Sequence, residues 1–118
     1  MISTKSRVPR QLIAYILKKG NSYQSDLFIV RYTKNDKHFS RYRAIISKKL
    51  LRGAVDRNKL RRQIYEIIRT KDAEREEKHA HDLILIPKKN ILTRTFRQIE
   101  DDITKNIINR PHDQSEQA

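Results

Sequence analysis

Between Val8 and Lys19 the apolar residues Leu12, Ile13, Tyr15, Ile16 and Leu17 recur among polar ones with the spacing of an amphipathic helix, and Gly20-Asn21-Ser22 supplies its stop. The next apolar run has a different character. Leu27-Phe28-Ile29-Val30-Arg31-Tyr32 is β-branched and aromatic, and the polar stretch Thr33 to Lys37, with Asn35-Asp36 inside it, turns the chain toward a second such segment from Phe39 to Ser47. Two antiparallel strands are predicted, with Ser22 to Gln24 as a short edge strand. Arg52 to Thr70 returns to helical spacing, Leu83 to Ile86 is a buried strand stopped by Pro87, and Phe96, Ile99, Ile103 and Ile107 mark a last helix. The predicted order is α-β-β-β-α-β-α, an α+β fold. Lys71 to His81, rich in Lys, Asp, Glu and His, is expected to be an exposed helix end or loop.

All of these elements fit one domain over residues 1–110, and the polar tail 111–118 is expected to be disordered. Of 118 residues, 36% are apolar and 35% charged, so the core must be small and assembled from short segments. No apolar run approaches the roughly 20 residues of a membrane span, and the first residues lack the apolar block of a secretory signal. Cysteine is absent, which excludes disulfides and thiolate metal sites and suits a reducing cytoplasm, the expected location.

Charge changes the picture most. The formal net charge is +13, and it is segregated: Met1 to Arg69 holds 18 Lys and Arg against 4 Asp and Glu, while Thr70 to Ala118 holds 9 against 10. Self-repulsion of this size calls for a polyanionic partner. A membrane surface fits less well, because the cations are not confined to the polar side of one long apolar helix. On the wheel of the second predicted helix Leu60, Ile64, Ile67 and Ile68 share one side. The opposite side then displays Asn58, Arg62, Tyr65 and Arg69, flanked by Arg57, Arg61 and Lys59. Guanidinium forks held at fixed spacing on a rod donate paired hydrogen bonds to phosphate, and Tyr65 is placed to stack on a base or ribose.

The segment Ser47-Lys48-Lys49-Leu50-Leu51-Arg52-Gly53-Ala54-Val55-Asp56-Arg57-Asn58-Lys59-Leu60-Arg61-Arg62 resembles the signature of the bacterial ribonuclease P protein family. In that family a Ser-Lys-Lys strand end leads through a short glycine link to Ala-Val, then Arg-Asn-Arg and a further basic pair. The order of elements agrees from about Val8 to Ile108. Four departures stand out: Lys59 replaces the third Arg of the motif, the link is one residue longer, Tyr65 replaces a later arginine, and Ile13 and Leu17 stand where aromatics are frequent. The resemblance implies a sandwich with a split β-α-β unit and a left-handed crossover. It further implies a protein subunit of ribonuclease P, with the catalytic RNA and precursor tRNA as partners. Arg57, Asn58, Lys59, Arg61, Arg62, Tyr65 and Arg69 on the helix would contact the catalytic RNA, and Lys48 and Lys49 would extend this RNA-binding surface. Ile13, Leu17, Phe28, Arg31 and Tyr32 are the candidates for a cleft holding the 5′ leader.

No catalytic residue and no metal site is assigned to the protein itself. His79, His81 and Asp82 fall short of a structural zinc set. Glu74, Glu76 and Glu77, like Glu100, Asp101 and Asp102, read as surface acids. No cofactor is expected on the protein alone; magnesium is expected for the RNA-based holoenzyme, in which RNA cleaves the phosphodiester. The competing reading is a noncatalytic RNA-binding protein of ribosomal or RNA-chaperone type. A DNA-binding protein is not expected, for want of a base-reading recognition helix.

Overall fold

The computed structural model describes residues 6–37, 39–72 and 80–110. Helix α1 (Arg10–Lys19) is followed by strands β1 (Asn21–Gln24), β2 (Phe28–Lys34) and β3 (Arg41–Ala44), helix α2 (Ala54–Asp72) and strand β4 (His81–Pro87). A 3-10 turn (Lys89–Thr93) then leads to helix α3 (Phe96–Ile103), which runs on as a π-helical turn (Thr104–Ile108). This is the element order expected from the chain's pattern. The strands form one sheet in the order β1-β2-β4-β3, so the last strand in sequence is inserted between two earlier ones. β2 runs antiparallel to β1 and β4, while β3 runs parallel to β4, with Tyr42 opposite Leu83 and Ala44 opposite Leu85. β3, α2 and β4 make the β-α-β unit. Its two parallel strands are hydrogen-bonded neighbours, so no third strand splits the unit; β2 lies along the other edge of β4.

The strand patterns follow from the layers. Alternation along β2 sends Phe28, Val30 and Tyr32 into the main core, where Leu60, Ile64, Ile67 and Ile68 of α2 meet Ile99 and Ile103 of α3. On the other face Val8, Ile16 and Ile84 form a smaller core, with Leu12, Ile13, Ile45 and Ile86 packed against it. β4 is covered on both faces, which is why it reads as a continuous apolar run. Gly20 ends α1 at a point where a Cβ would lie 2.5 Å from the Ile16 carbonyl oxygen and 2.9 Å from that of Tyr32. Only glycine fits there. The open edge of β3 is covered by the N-terminal segment, where the Val8 amide donates to the Tyr42 carbonyl at 3.1 Å.

Three expectations need correction. His81 belongs to β4, not to a loop, and is 2% exposed. Its ring packs edge-on to Tyr32, and its amide donates to Ser40 Oγ at 3.1 Å. The next residue, Asp82, is buried because it is fully partnered: Arg41 donates to it at 2.7 and 2.6 Å and Asn35 Nδ2 at 2.8 Å. That pairing raises the Arg41 pKa above its ordinary value. Asp102 is buried as well, accepting from Ser25 Oγ, the Asp26 and Leu27 amides and Asn106 Nδ2 at 2.7, 3.2, 2.9 and 2.7 Å. It fastens α3 to the β1–β2 turn. Phe96, by contrast, is 45% exposed, and the buried stripe at the chain's end is Ile99, Ile103 and Ile107. Most of the acidic stretch after α2, with Glu74, Glu76, Glu77 and His79, lies outside the described residues, as does the tail 111–118.

Candidate nucleic-acid interface

The apolar stripe of α2 settles which of its side chains meet solvent. With Leu60, Ile64, Ile67 and Ile68 against the sheet and α3, Asn58, Lys59 and Arg62 are exposed on the far side. Lys59 and Arg62 make no side-chain hydrogen bond or ion pair with a described residue. Arg57 is partly buried and tied inward, its Nη1 donating to the Leu51 and Arg52 carbonyls at 2.8 and 2.6 Å. It therefore braces the link from β3 to α2 while leaving the rest of its fork available. Arg61 Nη1 donates to Asn58 Oδ1 at 2.6 Å, fixing both groups. Val55, Asn58, Arg61 and Arg62 line a shallow hollow of about 400 Å³. Lys48 and Lys49, exposed and without a partner among the described residues, precede the helix on the link.

The last turns of α2 are different. Arg69 is exposed but ion-paired with Glu66, whose carboxyl is held below its usual range by that hydrogen bond. Tyr65 is not displayed at all: it is 1% exposed, and its hydroxyl accepts from the Ala44 amide at 3.1 Å. The wheel placed it opposite the core because it lacked β3. That edge strand has an outward amide needing an acceptor, and Tyr65 supplies one, widening the buried arc of the helix by one residue. Arg7 stands over its ring, 5.7 Å from the centroid.

The five cleft candidates divide by strand parity. Phe28 and Tyr32 point into the main core at 0% and 1% exposure, away from α1. Arg31 points toward α1, and its Nη2 donates to the Leu17 and Gly20 carbonyls at 2.6 and 3.2 Å, closing the helix's C-terminal end. Ile13 packs in the smaller core, and Leu17 is 38% exposed. So Ile13, Leu17 and Arg31 share the α1 side, and the two aromatic candidates do not. A groove of about 440 Å³ lies along α1, bordered by Leu12, Tyr15, Thr33, Lys34 and Arg41 among others. Sequence reasoning did not single out Tyr15 for this role, although an aromatic on the flank of an apolar stripe was the available signal. It is 59% exposed. No helix among the described residues is long and apolar enough to cross a membrane.

Comparison with known proteins bears directly on this arrangement. The Ribonuclease P family model matches residues 8–110. The ribonuclease P protein component of Mesoplasma florum is 30% identical over 93 residues, covering 79% of this chain and 83% of its own length. That of Finegoldia magna is 34% identical over 86 residues, or 72% of each chain. Among solved structures, the ribonuclease P protein of Thermotoga maritima superposes with a TM-score of 0.75 at 25% identity, covering 88% of this chain and 96% of that one. The Staphylococcus aureus protein gives 0.70 at 29% identity, with 83% and 88% covered. A basic helix face carried on this fold, a family match spanning nearly all described residues, and relatives with one consistent description lead to one conclusion: the chain belongs to the ribonuclease P protein family.

Proposed function

We propose that this chain is the protein subunit of a ribonuclease P, binding the catalytic RNA through the solvent face of α2 and the 5′ leader of precursor tRNA on the α1 side of the sheet. The observation that carries this reading is the array Asn58, Lys59, Arg61 and Arg62, held on a helix whose opposite face is locked into the core. Two of these cations are unpaired, and like charges left unpaired on a helix cost stability until an anion meets them. Phosphate oxygens of a folded RNA suit that geometry. Ile13, Leu17 and Arg31 border the leader side, with Tyr15 as the exposed ring. The chain contributes binding and orientation, which raise the fraction of substrate correctly placed. Magnesium-dependent hydrolysis of the phosphodiester belongs to the RNA, and the complex works in the cytoplasm, where tRNA precursors mature.

The test is reconstitution. With the catalytic RNA at low magnesium, the protein should stimulate cleavage of precursor tRNA, an outcome that a general RNA chaperone would not give. The double variant Lys59→Gln/Arg62→Gln should keep its melting temperature, lose affinity for the catalytic RNA, and flatten the log–log salt dependence by about 1.8, at about 0.9 per lost duplex contact. Wild-type affinity and slope in the folded variant would remove α2 from the interface. Arg57→Gln should behave differently, lowering stability as well, because it releases the link carbonyls.

A further inference from the structure

The basic residues of the chain's second part look dispersed along the sequence, but the sheet gathers several of them. β3 and β4 are parallel, so both leave the sheet at one end, where Lys48-Lys49 follow β3 and Lys88-Lys89 follow β4. From Lys88 to Arg97 the segment holds Lys88, Lys89, Arg94 and Arg97 and no acid. None of these four side chains makes a hydrogen bond or ion pair with a described residue. Two of them stand where cations are disfavoured, since Arg94 precedes α3 and Arg97 lies in its first turn, which has no acidic residue to offset the helix dipole.

Among these cations the segment exposes two large apolar side chains, Leu92 at 46% and Phe96 at 45%. Neither is needed by the core, which takes Ile91 and Ile99 from the same stretch. The scaffold beneath them is firm. Asn90 Nδ2 donates to the Asp26 carbonyl at 3.0 Å, the Lys88 amide donates to the Leu27 carbonyl at 2.8 Å, and Thr95 and Gln98 form a reciprocal capping box. Cations that flank an exposed ring along a firmly held segment suit single-stranded RNA, with phosphates on the cations and an unstacked base on the ring. A duplex offers no free base face to Phe96.

We propose that the segment Lys89–Arg97 is a second RNA-contact surface that takes a single-stranded stretch of RNA, Phe96 stacking on a base while Lys89, Arg94 and Arg97 hold the flanking phosphates. This rests on the reading of the chain as an RNA-binding subunit but is independent of α2. Lys48-Lys49 leave the sheet at the same end as Lys88-Lys89, because β3 and β4 are parallel.

The experiment uses the full chain with two labelled probes, a ten-nucleotide oligouridylate and a blunt ten-base-pair RNA duplex. Phe96→Leu keeps an apolar side chain and should keep the melting temperature. It should nevertheless weaken oligouridylate binding about fivefold to tenfold, leave the salt slope unchanged, and spare the duplex. Arg94→Gln/Arg97→Gln should flatten the oligouridylate salt slope by about 1.4, at about 0.7 per lost single-strand contact. Wild-type oligouridylate affinity in both folded variants overturns the proposal, as does an equal loss of duplex and single-strand binding in Phe96→Leu. Failure of the α2 reading is seen separately, in the affinity of Lys59→Gln/Arg62→Gln for the catalytic RNA.

Discussion

Tyr65 shows what one residue can hide. Its position on the wheel, among Arg61, Arg62 and Arg69, favoured an outward ring, and helical periodicity alone offers no other answer. What reverses it is a strand some twenty residues earlier, whose Ala44 amide its hydroxyl receives. Tyr65→Phe should therefore cost about 1 to 2 kcal/mol in a urea titration, through a buried amide left without its acceptor, and should leave RNA affinity unchanged. A large loss of affinity without loss of stability would return the ring to the interface. Tyr23 carries a different signature. Burial is the main cause that raises its pKa above the ordinary value, partly offset by the Arg110 guanidinium, which lies 3.8 Å from its ring centroid. The folded state thus keeps a phenolic proton that the unfolded chain releases near pH 10, so stability is complete below that pH and falls as the pH rises above it. In melts between pH 9 and 11 the wild type should lose stability more steeply than Tyr23→Phe, which has no proton to lose.

At the scale of elements, sequence pattern located the three α-helices and four strands among the described residues, most of them from an apolar period with a polar boundary, but not the 3-10 turn Lys89–Thr93. It missed what depends on partners across the fold. The strand at Leu83 to Ile86 was legible, but its start at His81 was not, since a histidine and an aspartate look like loop until Ser40, Arg41 and Asn35 are found beside them. In the same way α2 as a basic rod was legible, while the pairing of Arg69 with Glu66 and the inward turn of Arg57 required coordinates. Strand parity separated Arg31 from its neighbours Phe28 and Tyr32, and only register could do so. Asp102 makes the sharpest test at this scale, as it joins α3 to the β1–β2 turn. Asp102→Ala should lower the unfolding free energy by about 2 to 4 kcal/mol, leaving buried donors from Ser25 and Leu27 unmet. The exposed neighbour Asp101→Ala should stay within about 0.5 kcal/mol. Equal effects would mean that the carboxylate of Asp102 does not hold these elements together.

For the molecule as a whole, folding spends three acids of the second part internally, Asp72 on the Tyr42 hydroxyl, Asp82 on Arg41 and Asp102 on the β1–β2 turn. Lys48, Lys49 and Arg52 of the link, and Lys59 and Arg62 of α2, remain turned to solvent. RNA affinity should accordingly fall steeply with salt. For roughly five phosphate contacts the log–log slope should be about −3.5 on single strands and about −4.5 on duplex, and a filter-binding titration that returned a slope near zero would sink the electrostatic reading.

The place of β4 carries a consequence for how the protein is made. β2 and β3 are not paired with each other and join one sheet only through residues His81–Pro87 between them, so a ribosome releases most of the cationic chain before that sheet can close. On this topology the sheet is expected to close only once its last strand has emerged, which would leave a polycation beside ribosomal RNA until then. A fragment of residues 1–80 should show no cooperative thermal transition, and adding a peptide of residues 81–110 should restore one; a cooperative melt of the fragment alone would show that the sheet can nucleate without its centre.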